Sequence, residues 1–73
     1  MIEPMPADIR AISTEELEKL ATFYEKRKEW YKTTAKRSMP TVSYNNLDRV
    51  YNELDRRDGL LDDNYQLIIT QEI

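Results

Sequence analysis

The chain has 73 residues, with 11 basic and 14 acidic side chains, one glycine, and neither cysteine nor histidine. That length allows a single domain whose core is too small to spare the ~300 Å³ or more of a usual catalytic pocket. The missing thiols and imidazoles exclude a disulfide framework, a Cys/His zinc site and the commonest general base, and one glycine is too few for a phosphate-cradling loop.

The net charge of −3 conceals a pattern: residues 1–25 carry −4, residues 26–37 carry +5, and residues 38–73 carry −4. A basic island therefore lies between two acidic flanks. Residues 1–8 hold Pro4 and Pro6, which deny backbone donors and favour extended geometry, so this stretch reads as an arm. It lacks the basic and apolar regions of a signal peptide, and no window reaches the roughly 18 apolar residues of a membrane span. A soluble cytoplasmic protein is expected. Residues 7–12 alternate, with Ile9 and Ala11 opposite Asp8 and Arg10, as a short strand would.

Ser13 and Glu16 form a capping box, and Ile12 with Leu17 forms a hydrophobic staple; together they start a helix over residues 13–37. Leu17, Leu20, Ala21, Tyr24, Tyr31 and Ala35 make its core stripe, with Lys28 near the centre. A second ridge carries Lys19, Phe23, Lys26, Trp30 and Arg37. Either another part of the fold covers its two aromatics, or the ridge is an exposed aromatic–cation surface of the kind that anchors partner proteins or stacks on bases. These five residues are the candidate partner-binding site.

Pro40 ends that helix, and Ser43 is read as the cap of a second one over residues 44–58. Tyr44, Leu47, Val50, Tyr51 and Leu54 form its apolar face, while Asp48, Arg49, Asn52, Glu53 and Arg56 are read as its solvent face. Gly59 stands where a left-handed C′ residue belongs. Leu60 and Leu61, the turn at Asp62, Asp63 and Asn64, and residues 65–73 then read as a strand–turn–strand hairpin.

The predicted fold is α+β: two helices packed with a small antiparallel sheet, winged-helix-like, in one domain over residues 1–73. The sheet comes from the C-terminal hairpin, with residues 7–12 available as a third strand. The acidic cluster of Asp55, Asp58, Asp62 and Asp63 lacks the spacing of a calcium loop. No enzymatic activity, metal or cofactor is expected.

In its size, its lack of cysteine and histidine, its segregated charge and its basic segment 26–37, the chain resembles the small host-takeover proteins of bacteriophages. It is most similar to the transcription regulators among them. That resemblance implies a monomeric regulator without catalysis, in the host cytoplasm, whose protein partner is bacterial RNA polymerase and whose effect is inhibition of initiation or antitermination. The alternative reading is a winged-helix-like repressor that binds nucleic acid. The near balance of acids and bases on the second helix, and the acidic wing turn, count against it.

Overall fold

Asp8 makes the first turn of the structure, a computed structural model that describes residues 5–68. Its carboxylate accepts a hydrogen bond from the Arg10 N–H at 3.1 Å. That local bond competes with extended geometry, and Ile9–Ala11 is a 3-10 turn instead of the expected strand. Ile9 points into the core.

Helix α1 spans Thr14–Trp30. As expected, the Ser13 hydroxyl accepts from the Glu16 N–H, at 3.1 Å. Ile12 packs against the cluster that contains Leu17, which completes the staple. Beyond Trp30 the helix widens into a π-helical segment, Tyr31–Ala35, and closes on Lys36 in the left-handed region, φ 54°. The N–H groups of Lys36 and Arg37 both return to the Tyr31 carbonyl.

Helix α2 spans Thr41–Arg57, starting three residues before the predicted position. Pro40 takes the capping place, and its carbonyl receives the N–H groups of Ser43 and Tyr44 at 3.0 and 3.2 Å. Ser43 is therefore inside the first turn and fully buried, not a cap. The other end follows expectation. Gly59 has φ +83°, its N–H bonds to the Arg56 carbonyl at 3.1 Å, and the Leu60 N–H bonds to the Asp55 carbonyl at 2.9 Å. Those two bonds are a complete Schellman motif.

The α+β, winged-helix-like expectation is overturned, because the described residues contain no strand and no sheet and are all-α in architecture. Where the hairpin was expected, Leu61 and Leu67 form one isolated antiparallel bridge. Asp62 Oδ1 accepts from the N–H groups of Asn64 and Gln66, at 2.8 and 3.0 Å, and Tyr65 turns left-handed at φ 60°. A left-handed residue at the head of the second strand breaks its pleat, so the segment closes as a loop. The rest of that predicted strand, 69–73, lies outside the described residues, as do residues 1–4 of the arm.

The two helices pack on each other, and the 3-10 turn packs on α2. Ile9, Leu17, Ala21 and Val50 form the core, with Met5, Ile12, Leu20 and Leu54 around it. Tyr24 is fully buried beside Asn46, whose amide donates to the Tyr24 hydroxyl at 3.3 Å. The buried face of α2 comprises Ser43, Asn46, Leu47, Val50 and Glu53, so it is rotated toward polar residues. Tyr51, expected in the core, is 41% exposed and donates to the Glu25 carboxylate at 3.1 Å.

Glu53, read from the sequence as solvent-facing, has no exposure at all. Arg56 donates to it through Nε and Nη2 at 2.8 and 2.7 Å, Arg57 through Nε at 2.7 Å, and the Tyr65 hydroxyl at 2.9 Å. The Arg57 guanidinium also reaches Thr14 Oγ1 at 3.2 Å and the Ile12 carbonyl at 2.7 Å. Arg10 donates to the Tyr65 hydroxyl at 3.1 Å, to the Asp63 carbonyl, and lies over the Tyr65 ring. One buried carboxylate thus ties the start of α1, the end of α2 and the C-terminal loop together. The Arg56 bond is the main reason its pKa falls to about 2, with Arg57 and Tyr65 adding to it against the opposing effect of burial.

Candidate functional site

Helix α1 buries Leu17, Ala21 and Tyr24, and no residue after Tyr24 within it is buried. The π-helical segment continues α1 directly and brings no Cα within 8 Å of α2. The second half of the long helix is therefore displayed beyond the core. Its basic residues crowd the helix C-terminus, where the negative end of the macrodipole favours cations.

Of the five predicted residues, Phe23 and Trp30 are 41% and 51% exposed, so nothing in the described fold covers the aromatic pair. Phe23, Lys26 and Trp30 line one shallow depression of about 380 Å³, and Arg27 and Tyr31 complete it. The side chains are held by edge contacts. Trp30 meets Tyr31 edge to face with centroids 5.0 Å apart, Phe23 meets Tyr24 at 5.3 Å, and Arg27 lies 5.9 Å from the Phe23 ring. These aromatics bring contact area that is already oriented and that loses little conformational entropy on binding.

The other two predicted residues stand apart. Lys19 lies beside Glu15, Glu18 and Thr22 in a separate, open hollow, 3.6 Å from the Glu16 carboxylate. Arg37, beyond the π-helical segment and left-handed Lys36, lies 5.4 Å from the Tyr31 ring but outside the lining of the aromatic depression. There it joins Lys28, Lys32, Lys36 and Tyr44 around a third depression, of about 520 Å³. The sequence reading missed Arg27 and Tyr31 in the aromatic depression and placed Lys28 near the centre of the core stripe. The spacing of Lys28, Lys32 and Lys36, four apart each time, was the available signal for the basic depression.

Among the described residues no group of three or more acidic side chains is placed to hold a metal ion. No helix of the described residues is long and apolar enough to cross a membrane. Comparison with protein-family models, curated proteins and solved structures finds no match to this chain.

Proposed function

We propose that this chain is a non-enzymatic, protein-binding regulator that inhibits or redirects bacterial RNA polymerase by occupying part of its surface. The observation that carries the binding half of this reading is the depression formed by Phe23, Lys26, Arg27, Trp30 and Tyr31, with both large aromatics exposed. Tryptophan, tyrosine and arginine are the residue types in which binding energy concentrates at protein interfaces. The choice of RNA polymerase rests on the resemblance to phage transcription regulators in size, composition and charge pattern. The winged-helix reading has lost its structural basis, since the described residues have no wing.

Affinity capture from bacterial lysate, followed by mass spectrometry, tests the proposal. RNA polymerase subunits should be enriched over a control, and Lys26→Ala with Trp30→Ala should remove that enrichment. Both side chains are exposed, so the double variant should melt close to the parent, within about 1.5 kcal/mol for the lost edge contact with Tyr31. Capture that is unaffected by the double variant would move the interface elsewhere, and absence of polymerase would remove this partner.

A further inference from the structure

Lys28, Lys32, Lys36 and Arg37 gather around one depression with no carboxylate among the described residues that line it. None of their four charged groups is in an ion pair among the described residues. Two have cation–π neighbours instead, Lys28 at 5.9 Å from the Tyr44 ring and Arg37 at 5.4 Å from the Tyr31 ring. Arg56 and Arg57, by contrast, share the Glu53 carboxylate. Four like charges thus stand together around one recess, in a chain whose net charge is −3.

The backbone maintains this arrangement at a cost. Residues four apart on an α-helix overshoot a full turn, so a lysine row would drift round the surface. Over Tyr31–Ala35 the wider π turn makes four residues fall short of a full turn, which offsets the drift. The left-handed conformation of Lys36, φ 54°, then brings Arg37 to the same recess. That conformation costs a non-glycine residue about 1–2 kcal/mol.

We propose that this depression binds the phosphate backbone of single-stranded nucleic acid. Lys28 and Lys32, one α-helical step of four residues apart, are separated by roughly 6 Å along the axis, comparable to the spacing of successive phosphates on a strand. A row matches a polyphosphate backbone better than it matches one isolated anion. The recess lies between the end of α1 and the start of α2, where a flexible strand can follow its lining, and the Tyr44 ring there offers a base a face to stack on.

Fluorescence anisotropy with a labelled 12-nucleotide single strand tests this on the whole chain. Binding should weaken with salt, with a log–log slope of about −2 to −3 for three or four phosphate contacts. Lys32→Ala with Lys36→Ala should weaken it at least tenfold and flatten the slope by about 1.4. Phe23→Ala, on the other depression, should leave it within twofold, which keeps this test separate from polymerase capture. The proposal is overturned if no binding occurs at low salt, if the lysine variant binds like the parent, or if a duplex or a 12-residue polyglutamate peptide binds as tightly as the single strand.

Discussion

A buried carboxylate that receives four hydrogen bonds is much costlier to break than a surface ion pair, because its partners are left charged and poorly solvated. Glu53 is in that position: it has no exposure, while the Arg56 and Arg57 side chains are 23% and 19% exposed. Glu53→Ala should therefore destabilise the fold by about 3–5 kcal/mol, a large part of the roughly 4–11 kcal/mol expected for this length. Urea denaturation measures the change, and a loss below about 1 kcal/mol would show that the network is incidental. The pH dependence follows from the same group. Its pKa is about 2 in the fold against an ordinary 4.5, so the unfolded chain binds more protons between those values. The stabilisation is complete above about pH 5, fades as pH falls through the folded value, and amounts to about 3 kcal/mol. Glu53→Gln should flatten that acid limb. Nothing in the local sequence marks Glu53 as buried. With Arg56 and Arg57 three and four positions on, it looks like a pair of exposed helix ion pairs, and Tyr65, which closes its shell, is twelve residues away.

The ends of helices were legible where a side chain or a glycine decides them, and illegible where backbone geometry does. Ser13 and Gly59 did what their residue types predict. Ser43 did not, because Pro40 offered an earlier start and the hydroxyl had a buried place to occupy. No residue type announces the π-helical segment, and none announces left-handed Tyr65, which turned an expected hairpin into a loop. The two left-handed ends of the helices give opposite expectations. At Gly59 nothing lies within 4 Å of the place a methyl group would take, so Gly59→Ala meets no clash and should cost only the conformational penalty of about 1–2 kcal/mol. Lys36→Gly relieves that penalty and should raise stability by about 1 kcal/mol, less the added entropy of the unfolded chain. Thermal melts of both variants check the signs. A destabilising Lys36→Gly would mean that the lysine stem contributes packing worth more than its strain.

That Phe23 and Trp30 fall outside the core stripe was legible, but their exposure was left open and is decided by the fold. The placing of Arg37 in a different depression was not legible, since it follows a change of helical pitch at Tyr31. At the scale of the whole molecule the same feature divides stability unevenly. The buried side chains of both helices, the Glu53 network and the 3-10 turn hold one end together, while the basic segment 26–37 contributes only half-buried Arg27, Tyr31 and Ala35. Local opening follows burial and tertiary contact more closely than helical hydrogen bonding alone. Native-state hydrogen exchange should thus find the amides of residues 31–35 opening at a small fraction of the global unfolding free energy, and those of residues 20–24 and 47–54 opening only near it. Glu53→Gln should speed exchange in the second group and leave the first nearly unchanged, since no Cα of residues 31–35 comes within 8 Å of α2, through which its loss would be felt. Equal protection across α1 would show instead that the long helix unfolds as one unit with the core. Both binding depressions would then be presented by a rigid rod rather than by a segment free to adjust on its partner.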